Sequence, residues 1–119
     1  MTINHDGLHL KVTLRLEDGE GQRRFGPGVA ALLSQVREYR SLRAAAGAMG
    51  MAYSKAWRII RSAEEAFGCK LLDSTIGGRN GGGAVLTPEA EALLAAYQAL
   101  LTEAEVHARE RFREHFGAL

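Results

Sequence analysis

The stretch that most constrains the fold of this chain is SLRAAAGAMGMAYSKAWRIIRS, residues 41–62. It predicts two helices joined by a tight turn at Gly50-Met51, the first over 42–49 and the second over about 52–67. One side of the second helix is apolar at helical spacing and comprises Ala52, Ala56, Ile59, Ile60, Ala63 and Phe67. The alanines of the first helix let two helices cross closely. The pattern is therefore typical of a helix–turn–helix.

The other side of the second helix carries Ser54, Trp57, Arg58 and Arg61, with Lys55 flanking. A helix–turn–helix inserts a face of this kind into the major groove of DNA. An ordinary amphipathic surface helix also has a polar side, so this face alone leaves both interpretations open. Trp57 also has two possible roles, because its side chain can contact the duplex or anchor the helix on the core.

The distribution of charge favours the nucleic-acid interpretation. Between residues 37 and 61 the chain has one acid and six cations, Arg37, Arg40, Arg43, Lys55, Arg58 and Arg61. The local charge is 6 − 1 = +5, whereas the whole chain is only +1. A phosphate backbone would lie against such a concentration of cations, and Arg43 joins the second helix as a candidate contact.

Composition bounds the remaining possibilities. A chain of 119 residues with 46% hydrophobic and 24% charged residues is expected to form one domain, with or without an extension. Cys69 is the only cysteine and cannot form an internal disulfide, which is typical of a reducing compartment. The N-terminus is polar and no long apolar run occurs. We expect a soluble cytoplasmic chain without a membrane span.

Upstream of the helix–turn–helix, the sequence predicts a β-hairpin. Leu8, Leu10, Val12, Leu14 and Leu16 alternate with polar residues, which indicates a strand. Residues 18–21 form a turn signal, and 22–25 are expected to return as a short second strand.

A second hairpin is predicted directly after the helix–turn–helix. Two short apolar runs, at 71–72 and 84–87, flank a glycine-rich loop at 77–83. A hairpin in this place is called a wing, and Arg79 and Asn80 are its candidate DNA contacts. The same tip can also be a solvated loop. It lacks the Lys-Ser/Thr of a nucleotide-binding P-loop.

The C-terminal region predicts one long helix. Thr87 as N-cap and Pro88 in the first turn begin it, and it continues to about Phe116. A narrow apolar seam recurs every three or four residues and comprises Leu94, Tyr97, Leu101, Ala104, Ala108 and Phe112. Such a seam needs a partner helix, so we expect a homodimer with this helix in the interface. The alternative is that the seam packs on the N-terminal strand of its own chain.

No pattern of catalytic or metal-ligating residues is visible. The sequence has no paired-carboxylate site on a recognisable scaffold, no Ser-His-Asp ordering and no Cys/His metal spacing. We therefore expect neither an enzyme nor a resident metal or cofactor.

These motifs resemble one known family. Residues 53–57, YSKAW, and the run TIGGRNGGGAVLT at 75–87 are similar to the N-terminal DNA-binding domain of the molybdate-responsive regulator ModE, within the LysR-type winged-helix group. The resemblance covers about residues 26–116. It implies a winged helix that dimerises through its N-terminal segment and long C-terminal helix on palindromic DNA. It places Ser54, Lys55, Trp57 and Arg58 at the DNA on the recognition helix, and Arg79 and Asn80 on the wing.

The resemblance stops at the DNA-binding half of that regulator. No counterpart of its C-terminal molybdate-binding modules is seen in this sequence, so molybdate is not expected to bind this chain. A role in molybdenum metabolism stays open.

The sequence thus predicts an α+β, mainly α chain in three parts. Residues 1–25 form an N-terminal hairpin extension, 26–87 the winged helix–turn–helix core, and 88–119 the dimerisation helix. The leading functional hypothesis is a sequence-specific, dimeric DNA-binding transcriptional regulator. The alternative is a winged helix reused as a protein–protein interaction module without DNA binding, which the near-neutral total charge permits.

Overall fold

The structure, a computed structural model, describes residues 2–75 and 83–119. A short hairpin, β1 (Leu16–Glu17) and β2 (Arg23–Phe25), precedes three helices, α1 (Pro27–Tyr39), α2 (Leu42–Ala48) and α3 (Tyr53–Phe67). A second hairpin, β3 (Leu72–Thr75) and β4 (Gly83–Leu86), leads into α4 (Pro88–Gly117). Both hairpins are antiparallel two-stranded sheets. The predicted fold class, a mainly α winged helix–turn–helix with a long C-terminal helix, is confirmed.

Local signals set the ends of the helix–turn–helix. The Ser41 hydroxyl accepts a hydrogen bond from the Ala44 N–H and caps α2. Gly50 takes a positive φ of 63° in the turn, and Gly68 a φ of 66° at the end of α3, a conformation that favours glycine. The three helices meet through buried apolar residues, and Ala45, Ala46 and Ala56 lie at the crossing.

The wing is held to the helical core at its base. β3 and β4 pair in register from Leu72 with Leu86 to Thr75 with Gly83. The Ala84 N–H donates to the Arg40 carbonyl at the end of α1. The buried Thr87 hydroxyl donates to the Lys70 carbonyl and accepts from the Ala90 N–H, so one side chain joins the wing to the start of α4.

The N-terminal strand differs from the prediction. Only Leu16 and Glu17 pair in a ladder, opposite Phe25 and Arg23, and residues 8–15 form no strand among the described residues. The return strand is short because α1 begins at Pro27, directly after Gly26, and proline has no N–H to extend a ladder. The apolar residues do alternate with polar ones, but β2 has only three residues and gives residues 8–15 no strand to pair with.

The first half of α4 belongs to the protomer's own core. Leu94 is fully buried and Tyr97 nearly so within the single chain, although the sequence predicts both for the dimer interface. Farther along, the remaining seam residues Leu101, Ala104, Ala108 and Phe112 are half-buried. The N-terminal segment runs beside them: the Tyr97 hydroxyl donates to the Leu14 carbonyl, and His5 contacts the rings of Phe112 and Phe116 edge-on. The second half of α4 extends beyond the core and makes the molecule 67 Å long but only 30 × 23 Å across.

Candidate nucleic-acid interface

The recognition face of α3 is exposed as predicted. Ser54, Lys55, Arg58 and Arg61 are all exposed, whereas Ala56, Ile60 and Ala63 on the other side are fully buried. Because each helical residue turns about 100°, Arg58 lies nearly opposite the centre of the buried side. The helix is therefore anchored by one side while its cations face solvent.

Trp57 lies between these two sides. Its ring is half-buried, packs against the core cluster and meets the Tyr53 ring edge-on at 6.3 Å between centroids. The Arg61 guanidinium lies 5.4 Å from the centroid of the Trp57 ring. Of the two roles left open by the sequence, these contacts favour the anchoring role, with the indole also orienting Arg61.

Arg43 connects α2 to the start of the recognition helix. Its guanidinium carbon lies 4.1 Å from the centre of the Tyr53 ring, close enough for a cation–π interaction. Arg43 remains exposed. A cation on α2 is thus held beside the first turn of α3, where a phosphate flanking the major groove would lie.

One of the six cations counted in the sequence is engaged elsewhere. Arg37 forms a two-pronged ion pair with Glu91, at 2.6 and 3.1 Å, and this joins α1 to α4. The hydrogen bond from its guanidinium to the Glu91 carboxylate raises the pKa of Arg37. Its charge is compensated, so Arg37 does not add to the cationic surface around α3.

Two features of this surface were missed by the sequence interpretation. Glu65 is largely exposed on the same side of α3 as Arg58, so the cationic face ends about two turns after the helix begins. Arg15 and Arg23 on the N-terminal hairpin lie beside Lys55 and Arg58 around one groove. The Glu64-Glu65 pair was a visible signal of the first feature, but only the tertiary fold reveals the second.

The wing-tip contacts remain predictions. Arg79 and Asn80 lie outside the described residues. The described strands β3 and β4 follow α3 directly, and Asp73, Ser74 and Val85 are exposed along them.

Two other kinds of structure are absent from the described part of the chain. Residues 2–75 and 83–119 contain no group of three His, Cys, Asp or Glu side chains that could hold a metal ion. Within the same ranges, no helix has the length and apolarity needed to cross a membrane.

Two curated proteins resemble part of this chain. The molybdenum-pterin-binding protein MopB of Rhodobacter capsulatus is 38% identical over 77 residues, which cover 65% of this chain and 28% of that protein. The molybdenum transport protein ModE of Herbaspirillum seropedicae is 37% identical over 70 residues, 59% of this chain and 26% of that protein. The match thus spans about a quarter of the length of either relative.

Just over half of the chain matches a family. Residues 30–91 match the family described as bacterial regulatory helix-turn-helix protein, lysR family, and they include α2, α3, both strands of the wing and most of α1. That range is more than half of the 119 residues and contains the exposed cationic face of α3. The chain therefore belongs to the lysR family of bacterial regulatory helix-turn-helix proteins, a family of DNA-binding regulators and not of enzymes.

Proposed function

We propose that this chain binds double-stranded DNA sequence-specifically as a homodimer and so regulates transcription in the cytoplasm. One observation carries the proposal: the first turns of α3 present Ser54, Lys55 and Arg58 to solvent, while Ala56 and Ile60 fix the opposite side in the core. This combination gives a rigid helix whose exposed side has the hydrogen-bond donors that base edges and phosphates accept.

The side chains of this surface have different roles in the proposal. Arg58 faces most directly outward, and its guanidinium can bind guanine at two acceptors. Lys55, Arg43 and Arg61 contact phosphates on either side. Trp57 holds the helix against the core. On the wing, Arg79 and Asn80 reach the neighbouring minor groove.

The dimer rests on the apolar surface that the protomer leaves uncovered along α4. Leu100 is exposed beside the half-buried Leu101, and Leu16 is exposed near it across a shallow apolar depression of about 110 Å³. A second copy that covers this surface would remove these side chains from water. It would also pair two recognition helices, as palindromic DNA requires.

The proposed connection to molybdenum metabolism rests on the names of the two relatives alone. Both names refer to molybdenum, and each relative matches more than half of this chain. Molybdate itself is not expected to bind this chain. Equilibrium dialysis of the chain against molybdate, with and without duplex DNA, tests that expectation.

The primary experiment is selection of bound sequences from random duplex DNA. We expect a palindrome whose half-sites contain a conserved guanine in reach of Arg58. Affinity for the selected duplex should fall steeply with salt, because phosphate contacts release counterions. An interaction module that does not bind DNA would enrich no sequence and show no salt-dependent binding.

Replacement of Arg58 tests whether this side chain contacts a base in the major groove. Arg58→Ala should weaken binding to the selected duplex by about 1–3 kcal/mol for each half-site and relax the preference at one base pair of each half-site. Arg79→Ala should weaken binding with less effect on discrimination. Fluorescence anisotropy at fixed salt, on selected and scrambled duplexes, measures both. Arg113→Ala on the exposed side of α4 is the matched control. If Arg58→Ala and Arg113→Ala bind equally well, the assignment of α3 to the major groove is wrong.

A further inference from the structure

A groove of about 570 Å³ lies beside the recognition helix, and we call it the hairpin groove. Three parts of the chain form it. Thr13, Arg15, Arg23 and Phe25 come from the N-terminal hairpin region, Pro27 to Val29 from the start of α1, and Lys55, Arg58, Ile59 and Ser62 from α3. Two of the cations assigned to the DNA-binding face of α3 are therefore also walls of this groove.

The charge of the hairpin groove has one sign. Five cationic residues line it, Arg15, Arg23, Arg24, Lys55 and Arg58, and no acid does. Arg24 is compensated, because it pairs with Asp18 at 3.0 Å and with Glu65 at 3.6 Å. The other four cations form no ion pair within the described parts of the chain, so their charges remain available to a ligand.

The start of α1 adds hydrogen-bond donors to the same wall. No side chain caps this helix, and Pro27 has no N–H. The N–H groups of Gly28 and Val29, both lining the groove, belong to the first turn, which has no acceptors within the helix. They favour an anion, as does the positive end of the helix dipole. This contribution is secondary to the four side-chain charges.

The path of Arg15 explains why its charge lies at this wall. A Cβ atom on Gly26 would come within 2.8 Å of the Arg15 Cγ, closer than such atoms approach in proteins. Gly26 is buried directly before α1. The bare glycine backbone thus makes room for the stem of Arg15 to pass over the beginning of the helix.

The position of the groove indicates what fills it. On α3, Tyr53 contacts Arg43 of α2, and Trp57 and Arg61 continue the same side of the helix. The set Lys55, Ile59 and Ser62 is centred nearly half a revolution away. Arg58 lies between the two sets. A duplex read by Arg58 would therefore place one phosphate strand near Arg43 and the other near the hairpin groove, since the major groove is bounded by two backbones.

We propose that the hairpin groove holds the second sugar–phosphate backbone, with Arg15 and Arg23 as phosphate ligands in addition to those of the helix–turn–helix and wing. This inference rests on the proposed function, because it requires that α3 binds the duplex. It extends the DNA interface to the N-terminal hairpin, outside the 30–91 family match. The predicted contacts are with phosphates and read no bases.

The test compares the full chain with the double variant Arg15→Gln/Arg23→Gln, which keeps most of each stem and removes both charges. The control Arg109→Gln/Arg113→Gln removes two charges from α4. Anisotropy titrations over a series of salt concentrations, on the selected and a scrambled duplex, give affinity and its salt dependence. Circular dichroism confirms that each variant is folded.

We expect the slope of log K against log salt to become shallower by about 2 per subunit, and so by about 4 for the dimer on its palindrome, because each subunit loses two phosphate contacts. Affinities for the selected and scrambled duplexes should fall together. An unchanged slope, with the unmodified chain still binding its duplex, would overturn this inference alone. If the unmodified chain binds no duplex at all, the proposed function and the inference both fail.

The cations of the hairpin groove would also attract a small phosphate compound. Calorimetry with pyrophosphate in the absence of DNA distinguishes such a ligand from the phosphates of a DNA backbone. Weak binding in the millimolar range is the expected result for a groove that recognises a backbone. Micromolar binding that disappears in Arg15→Gln/Arg23→Gln would assign the groove to a small phosphate ligand and overturn the duplex assignment.

Discussion

Asp18 shows how one side chain can position a whole hairpin. Its Oδ1 accepts hydrogen bonds from the N–H groups of Glu20 and Gln22, at 2.8 and 3.0 Å, and its Oδ2 accepts from Arg24 Nε at 3.0 Å. Arg24 in turn donates to the carbonyl and hydroxyl of Ser62 on α3. The turn, β2 and the recognition helix are thus linked through a single carboxylate.

The ionisation of Asp18 should contribute to stability. The N–H groups of Gln22 and Glu20, and then Arg24, hold its pKa below 3.8. A lowered pKa in the folded state stabilises the fold above 3.8, and this contribution is lost as the pH falls through the lower, folded value. Asp18→Asn should therefore melt at a lower temperature than the unmodified chain near neutral pH. The difference should shrink in acid, where Asp18 becomes protonated.

Thermal melts followed by circular dichroism, from neutral pH down through 3.8, measure this difference. Asp73→Asn is the control, since Asp73 is exposed and its carboxylate has no hydrogen bond with the described residues. A gap between Asp18→Asn and the unmodified chain that stayed constant into acid would contradict the electrostatic explanation.

Single residues differ in how far their roles could be predicted from the sequence. The caps Ser41, Gly68 and Thr87 were predictable because each acts on backbone within a few residues. The pairing of Arg37 with Glu91 was not, since 54 positions separate them and only the packing of α1 on α4 brings them together. Counting charges along the chain therefore overestimated the cations available around α3.

Among the elements, α4 and the N-terminal segment depend on each other. Tyr97 is buried at the point where both meet, and its hydroxyl donates to the Leu14 carbonyl at 2.8 Å. Burial raises the pKa of Tyr97, so the hydroxyl remains a donor throughout the neutral range. Leu14 packs against the core, and Leu10 and Val12 toward the N-terminus are half-buried.

Tyr97→Phe tests the bond without removing the ring. It should lower the free energy of unfolding by about 0.5–1.5 kcal/mol, because the part-buried Leu14 carbonyl loses its donor. Tyr39→Phe on the exposed side of α1 should change stability by less than about 0.5 kcal/mol. Urea denaturation measures both variants. Equal effects would show that the Tyr97 hydroxyl does not hold the segment to α4.

The sequence predicted the elements well where hydrophobic periodicity coincided with a cap or glycine turn. The two helices of the helix–turn–helix and α4 meet this condition, and their ends lie within a residue or two of the prediction. The N-terminal strand had a clear alternation but no information about a partner, and a ladder needs one. The seam of α4 shows the same limit: the sequence assigns Leu94 to the dimer interface, whereas Leu94 is buried within the single chain. Periodicity shows that a face is buried but not what buries it.

At the scale of the whole molecule, an extended protomer leaves apolar surface uncovered along α4. Leu100 is exposed on the flank of the seam, whereas Val106 is exposed on the side of α4 turned away from it. If a second copy covers the seam, Leu100→Glu should weaken the dimer and Val106→Glu should not. Sedimentation equilibrium measures the association constants, and equal behaviour of the two variants would place the interface elsewhere.

A dimer of this kind also constrains the spacing of its DNA half-sites. Two recognition helices fixed by one rigid interface should prefer half-sites about 34 Å apart, one turn of duplex, or more on bent DNA. Inserting about five base pairs into the selected palindrome turns one half-site to the far side of the duplex. We expect affinity to fall to that of a single half-site, and Leu100→Glu to bind the original and lengthened duplexes about equally because it no longer dimerises. Anisotropy with the two duplexes at matched salt measures this. If the unmodified chain bound both duplexes tightly, its recognition helices would act independently. DNA binding would then not depend on the dimer.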